Sequence, residues 1–180
     1  MLASAQAVAS DKNHVLEALG TVATSIRGKL GESLASIQKF DKPLEDVTTP
    51  SLEALKAYSL GWSEHVAKGN ESAAIPLFQQ AISLDPNFAM AYAVLGTAYN
   101  NLGESGLAAE NLKKAYDLRD RVSEREKFYI SSHYDQFVLG DLEKAQQVYQ
   151  TWVQTYPRDS VPPTNLGAIY GSLGEYDKGL

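Results

Sequence analysis

Small residues recur along this chain at nearly constant intervals, and this spacing constrains the fold more than any other feature of the sequence. One set consists of Gly61, Gly96, Ser131 and Gly167, which are 35, 35 and 36 residues apart. A second set consists of Ala74, Ala108, Ala145 and Gly179, which are 34, 37 and 34 residues apart. Two sets that repeat in step are typical of a solenoid, in which each repeat is one structural unit stacked on its neighbours.

The clearest unit predicts two antiparallel helices. Its repeated positions are Tyr92, Leu95, Gly96, Tyr99, Gly103, Ala108, Leu112 and Ala115. The small residues let the two helices cross closely, while the large ones fill the gaps between successive pairs. This pattern resembles the tetratricopeptide repeat (TPR). The resemblance implies an all-α, right-handed solenoid of about three and a half repeats, at residues 50–88, 89–122, 123–159 and, in part, 160–180.

Helix start signals fall where this arrangement requires them. Thr49-Pro50 predicts an N-cap followed by proline at the first helical position, and Asn70, Ser105 and Asp141 predict N-caps that follow turn glycines. Ser123 and Glu126 have the spacing of a capping box. No alternating pattern typical of a β-strand interrupts these signals.

Two repeats depart from the regular spacing. The spacing between the first small residue and the turn glycine differs between units. It is 7 residues in the second unit (Gly96 to Gly103), 8 in the first (Gly61 to Gly69) and 9 in the third (Ser131 to Gly140). The first and third units therefore predict longer first helices or longer loops. Pro76 predicts a kink, not a break, in the second helix of the first unit.

The N-terminal quarter does not follow the repeat. We expect a flexible terminus at residues 1–10, an amphipathic helix within residues 11–40 and a linker at residues 41–49. The helix is predicted by apolar residues spaced three or four apart, namely Val15, Leu19, Val22, Ile26, Leu30, Leu34 and Ile37. It either packs on the first repeat or joins the array to a preceding domain or a second copy.

A narrower resemblance extends over most of the chain. The runs at residues 27–34, 40–44, 51–58 and 123–129 resemble large bacterial signalling proteins in which a serine/threonine kinase or winged-helix regulator carries a TPR tail. The resemblance implies an interaction tail. The chain contains no kinase motif, so kinase activity is not implied. We also expect a fragment of a longer protein, because the second helix of the fourth unit has only begun at Leu180.

Composition and charge argue against several classes of function. The net charge of −6 is unfavourable for binding nucleic acid, which requires a basic surface. The chain has no cysteine, no apolar run of transmembrane length and no signal-peptide pattern at its start. The cytoplasm is therefore the location expected by default. The location stays open if the segment belongs to a membrane-anchored signalling protein.

No pattern of residues predicts catalysis. His14, His65 and His133 are far apart in the sequence, and none has a second histidine or a cysteine at metal-ligand spacing. We therefore expect no enzyme activity, no metal and no cofactor.

The expected function is binding of a protein or peptide in the concave groove that the first helices of a TPR array line. The residues expected to contact the partner are Trp62, Asn100, Asn101, Lys127, Tyr134 and Asn165. TPR proteins that clamp the acidic C-terminus of heat-shock chaperones place Lys and Asn on three successive first helices, and no such basic cluster occurs here. Self-association through the N-terminal helix or the C-terminal edge is the alternative.

Overall fold

The computed structural model describes residues 3–11, 14–35, 37, 49–175 and 177, and within these residues it contains helices and no strand. Eight α-helices have both ends within the described residues. Their bounds are α1 Val15–Lys29, α2 Leu52–Trp62, α3 Glu71–Leu84, α4 Ala89–Asn101, α5 Ser105–Asp117, α6 Glu124–Tyr134, α7 Leu142–Thr155 and α8 Val161–Leu173. The all-α helical solenoid expected from the sequence is confirmed.

The helices α2 to α7 form three successive hairpins, and α8 follows the third. Within the hairpins, α2 packs against α3, α4 against α5, and α6 against α7. The second helix of each hairpin then packs against the first helix of the next unit. The helix α4 lies in the middle of this stack, which is why most of its residues from Ala89 to Ala98 are buried.

Close helix crossings occur where small residues face large ones. A Cβ atom added to Gly61 would lie 2.8 Å from the ring of Phe78, and one added to Gly96 would lie 2.7 Å from Cγ of Leu112. The chain turns at the end of each first helix through a glycine with positive φ, at Gly69, Gly103, Gly140 and Gly174. Other residues adopt this backbone conformation at a cost, which explains the regular turn glycines of the sequence.

The irregular spacing of the first and third units arises from π-helical turns. Ser63–Ala67 continues α2 and Asp135–Leu139 continues α6, both as π-helix. A π turn accommodates an extra residue without ending the helix. The longer first helices expected in these two units are therefore present, and the extra residues lie in the helices themselves.

Two of the expected N-caps are wrong. The helix α2 is capped by Ser51, whose hydroxyl accepts a hydrogen bond from the backbone N–H of Ala54. Thr49 instead donates its hydroxyl to Asp85 at 2.6 Å. Ser105 is the first residue of α5 and Glu104 precedes it without a side-chain cap, whereas the expected caps at Asn70, Asp141 and Ser123 are present. The helix α3 continues through Pro76.

The N-terminal segment is helical over part of its described residues, namely α1 and residues 34, 35 and 37. Of the predicted helical segment at residues 11–40, α1 occupies Val15–Lys29, and Gly31 with a φ of +87° follows its end. Residues 12, 13, 36 and 38–40 of that segment, like 41–48 of the expected linker, lie outside the described residues. Within the described residues α1 makes only sparse contacts with the other helices. Its packing on the first repeat stays a prediction.

Candidate functional site

A connected row of side chains joins the first hairpin to the first helix of the second. The Trp62 ring lies 6.0 Å from the His65 ring, measured between centroids. The Nδ1 atom of His65 lies 2.6 Å from one carboxylate oxygen of Glu71, and the amide nitrogen of Asn101 donates to the other at 2.6 Å. We call these four residues the Trp62–Asn101 surface. The His65 and Glu71 side chains are 12% and 13% exposed, so the contact in the middle of the row is shielded from solvent.

Below this surface lies a buried layer with altered ionisation. Burial raises the pKa of Tyr129 to about 12, and the nearby carboxylate of Glu71 adds to the effect, whereas the hydrogen bond with Thr97 opposes it. Burial also lowers the pKa of His133 to about 4, and the charge of His65 contributes in the same direction. Both side chains are therefore neutral near pH 7 and serve as packing, with their rings stacked 4.0 Å apart.

The structure brings together only part of the predicted partner site. Trp62 and Asn101 are linked through His65 and Glu71, and Asn100 adjoins Asn101 at the end of α4. Sequence reasoning missed His65 and Glu71. Glu71 lies in the first turn of α3. Its contact with His65 forms across the turn of the first hairpin, and its bond with Asn101 joins two successive units.

The other three predicted residues lie elsewhere. The Tyr134 ring stacks on the Tyr116 ring at 4.0 Å between centroids, so this side chain packs between the second and third units. Asn165 lies half-buried on α8. Lys127 lies on α6 in a separate depression.

That depression, which we call the α6–α7 groove, has a volume of about 480 Å³. It is lined by Glu124, Lys127, Phe128 and Ser131 of α6 and by Lys144, Gln147, Val148 and Thr151 of α7. Phe128 and Val148 are half-buried and supply its apolar part. The two lysines lie on opposite helices, so they flank this apolar part.

A larger cleft of about 840 Å³ lies between the end of α1 and the connection from α7 to α8. Its charged residues are largely paired with one another. Arg27 bonds Glu32 on one side, and Arg125 bonds Asp159 on the other. Asp159 also accepts hydrogen bonds from the Trp152 indole and the Val161 backbone. These bonds fasten the third unit to α8.

No helix among the described residues has the length and apolar character needed to cross a membrane. In the same part of the chain, no three His, Cys, Asp or Glu residues lie close enough together to hold a metal ion.

Comparison with known proteins identifies TPR sequences and structures. Residues 57–88 and residues 77–110 each match a family model described as tetratricopeptide repeat. No curated protein matches the chain. These two matches support the TPR family for the first two units.

Two of the similar solved structures are informative about the fold. A thermophilic TPR protein of Thermus thermophilus is 25% identical with a TM-score of 0.54, and the match covers 70% of this chain and 69% of that one. The first TPR of Spaghetti (RPAP3), solved with a peptide of HSP90, is 20% identical with a TM-score of 0.50, and the match covers 69% of this chain and 98% of that one.

Proposed function

Because this chain folds as a tetratricopeptide-type solenoid, we propose that it is a protein-interaction scaffold that binds a peptide or a segment of a partner protein. The Trp62–Asn101 surface is the observation that carries the proposal. It combines a large aromatic side chain, a shielded contact between His65 and Glu71 and an exposed amide from two successive units. That the first TPR of RPAP3 was solved with a bound peptide supports the kind of function, while an identity of 20% leaves the partner's sequence open.

Binding at this surface would use pre-ordered side chains. The Trp62 ring provides apolar contact area, and aromatic residues supply a large share of the binding energy at protein interfaces. The Asn100 and Asn101 amides can donate to and accept from the backbone of an extended peptide. Since the carboxylate of Glu71 already holds Asn101, less side-chain entropy is lost on binding than for a free amide.

Selection of a random peptide library against the immobilised chain tests the proposal. Fluorescence anisotropy of the selected peptides then gives their affinity for the chain and for its variants. We expect Trp62→Ala and Asn100→Ala to weaken binding, because both remove contact groups. Asn111→Ala is the matched control, since the Asn111 amide bonds to the backbone of its own helix.

Two results would contradict this function. One is the absence of any peptide enriched above an unrelated helical protein. The other is a set of peptides whose affinity is unchanged by Trp62→Ala, which would place binding on another surface.

We also propose that the scaffold serves a bacterial signalling protein and acts in the cytoplasm. The proposal is supported by the runs at residues 27–34 and 51–58, which resemble TPR tails of kinases and winged-helix regulators. The complete reading frame that encodes this chain provides the check. We expect it to encode a kinase or winged-helix segment, and a frame without either would contradict the proposal.

Self-association is the second candidate function. It is favoured by exposed apolar side chains in the N-terminal part, where Leu30 is 60% exposed and Leu34 is 72% exposed. Solvent-exposed apolar groups of this kind mark interaction surfaces when they lie close together. Light scattering over a range of concentrations separates the two candidates, because a binding scaffold stays monomeric and a self-associating element does not.

A further inference from the structure

We propose that the Trp62–Asn101 surface binds an arginine side chain of the partner segment, which lies on the Trp62 ring and donates hydrogen bonds to His65 and Asn101. The inference rests on the proposed function, because it names the chemistry of the segment that the scaffold binds. It follows from the position of one carboxylate, that of Glu71, which determines the hydrogen-bonding character of both its neighbours.

Glu71 orients the His65 ring so that one acceptor remains free. An ionised carboxylate only accepts hydrogen bonds, so the Nδ1 atom of His65, 2.6 Å from Glu71, carries the proton. In the neutral ring the Nε2 atom is then an acceptor. It has no hydrogen-bond partner among the described residues, where every buried side-chain N or O atom has one, so Nε2 is open to solvent. The Trp62 and Phe78 rings, with centroids 6.0 and 6.3 Å from the imidazole, hold the ring in place.

Glu71 has a similar effect on Asn101. The amide nitrogen of Asn101 donates to Glu71 at 2.6 Å, so this side of the amide is engaged. The rest of this exposed side chain includes Oδ1, a second acceptor. Two acceptors held by one carboxylate favour a ligand group that has several donors and no acceptor. Among the side chains of proteins, those of arginine and lysine have this character.

The charges of the surface favour a cation. The segments that form it, residues 62–71 and 97–105, contain three glutamates and one lysine. The lysine, Lys68, pairs with Glu64 at 2.6 Å. Glu71 and Glu104 remain, so with a neutral His65 the two segments carry a net charge of −2. A positive side chain complements this surface.

The third unit does not neutralise this negative charge. Tyr129 and His133 of α6 form the buried layer below the surface, and both are neutral near pH 7. Arg125 and Glu126, at the start of α6, have opposite charges. Arg125 is also bonded to Asp159 at 2.6 Å. The carboxylate of Glu71 is therefore available to attract a ligand cation.

The aromatic ring favours arginine over lysine. A guanidinium group is planar, stacks on aromatic faces and carries five donors in a fixed fork. Trp62 is half-buried, so part of its ring is accessible, and tryptophan is the best aromatic partner for a cation. A guanidinium on this ring can direct N–H groups at His65, whose ring centroid lies 6.0 Å away. The ammonium group of lysine is compact, strongly hydrated and has fewer donors.

NMR titration with a synthetic peptide tests the proposal. The probe is acetyl-Gly-Leu-Arg-Leu-Gly-amide. The comparison peptides replace its arginine with citrulline, which has nearly the same shape without the charge, or with glutamate. The readout is the indole N–H signal of Trp62. The chain has two tryptophans, and the second, Trp152, is buried and bonded to Asp159, so its signal is the reference in the same spectrum.

We expect the arginine peptide to shift the Trp62 signal saturably and to leave the Trp152 signal in place. The citrulline peptide should bind about tenfold more weakly or less, because its hydrogen bonds lack the charge. The glutamate peptide should not shift the Trp62 signal.

Variants of the carboxylate and its neighbours test the mechanism. Glu71→Gln should weaken binding of the arginine peptide about tenfold, because it removes the charge and no longer obliges both neighbours to donate. His65→Leu and Asn101→Ala each remove one acceptor and should also weaken binding. Asn101 is exposed, so its variant keeps the test valid if His65→Leu does not fold. Circular dichroism verifies the fold of every variant.

Glu143→Gln is the matched control. Glu143 lies in the first turn of α7, the second helix of the third unit, as Glu71 lies in the first turn of α3. The substitution removes the same charge at a corresponding place outside the surface. It should bind the arginine peptide like the unmodified chain.

The proposal is overturned if the Trp62 signal does not respond to the arginine peptide, or if the citrulline or glutamate peptide binds as tightly. Normal binding by Glu71→Gln, or an equal loss in Glu143→Gln, would also overturn it. The scaffold function is judged separately by the library selection. Selected peptides that depend on Trp62 but lack arginine would support the scaffold and overturn arginine as its ligand.

Discussion

At the scale of single residues, the ionisable groups inside the array are held neutral or paired. The His133 side chain is buried, and its Nδ1 atom lies 2.8 Å from the carbonyl oxygen of Tyr129. Protonation would place a positive charge in this apolar layer without a carboxylate in contact. The histidine is therefore a point at which acid destabilises the fold.

Acid should weaken the protein between about pH 6.5 and pH 4. Burial lowers the pKa of His133 to about 4 in the folded state, from its ordinary value of 6.5. Between these two values His133 binds a proton in the unfolded chain but not in the folded chain. The free energy of unfolding therefore falls as the pH falls through this window. The loss from this residue has an upper limit of about 3 kcal/mol. Urea unfolding at several pH values measures it.

The control for this experiment is a pair of variants. His133→Gln removes the buried titrating group and should show a smaller loss of stability over the same window, whatever its stability at neutral pH. His14→Gln removes an exposed histidine and should behave like the unmodified chain. Equal losses in His133→Gln and the unmodified chain would show that His133 is not responsible.

Lys144→Met should destabilise the protein, because it leaves a carboxylate unpaired. Asp135 is 2% exposed and Lys144 is the partner of its side chain in the described structure. An unpaired buried polar group costs about 1–3 kcal/mol. Thermal unfolding compares this variant with Lys113→Met, whose partner Asp117 is 54% exposed and can return to water. A similar melting temperature for the two variants would argue against a structural role for the Lys144 pair.

At the scale of helices, two glycines at equivalent repeat positions have different surroundings. Gly96 lies against α5, where an added Cβ would meet Leu112 at 2.7 Å and the Ala108 carbonyl oxygen at 3.1 Å. Gly167 on α8 has no atom of the described residues within 4 Å of the same position. The sequence pattern makes these two residues look alike, but within the described part of the chain the close crossing is at Gly96.

Gly96→Ala and Gly167→Ala should therefore have opposite effects. Alanine favours a helix over glycine by about 1 kcal/mol, so Gly167→Ala should raise the free energy of unfolding slightly. In Gly96→Ala the same gain is outweighed by overpacking, which costs about 1–3 kcal/mol. Guanidinium unfolding gives both values. Destabilisation by both substitutions would mean that the Gly167 face of α8 packs closely against another part of the protein in solution.

The hairpins could be predicted from the sequence because their signals are local. Turn glycines, the capping box at Ser123 and the small residues at crossings each act within one repeat. The cap expected at Thr49 is wrong because Ser51 takes that role, while Thr49 bonds Asp85 at the end of α3. The cap expected at Ser105 is wrong because this residue is the first of the helix. The Glu71–Asn101 hydrogen bond joins residues 30 positions apart, so it depends on the stacking of units, and no local pattern reports it.

At the scale of the whole molecule, few contacts join the N-terminal part to the array within the described residues. The helix α1 has sparse contacts with the other described helices, and one end of it borders the 840 Å³ cleft beside the α7–α8 connection. By contrast, Thr49 is buried and bonded to Asp85. We therefore expect the stable array to include Thr49.

Removal of residues 1–48 should leave the melting temperature of the array nearly unchanged. Stability in a solenoid comes mainly from contacts within and between neighbouring repeats, and these contacts remain in the shortened chain. Differential scanning calorimetry tests this, with a chain shortened by a further three residues as the comparison. That second form lacks Thr49 and Ser51 and should melt at a lower temperature. A large drop for the first form alone would assign α1 a structural role.

The π-helical turns at Ser63–Ala67 and Asp135–Leu139 have a consequence for protein engineering. Repeat proteins are often treated as interchangeable modules, which can be duplicated or swapped to change the length of an array. Here the second unit alone among the three complete hairpins lacks the inserted turn. A copy of this unit grafted in place of the first would rotate the residues after the insertion by about 100°, the angle of one helical position. In place of the third unit, which has two extra residues, the rotation would be about twice as large. The modules of this array are therefore tied to their places in the order.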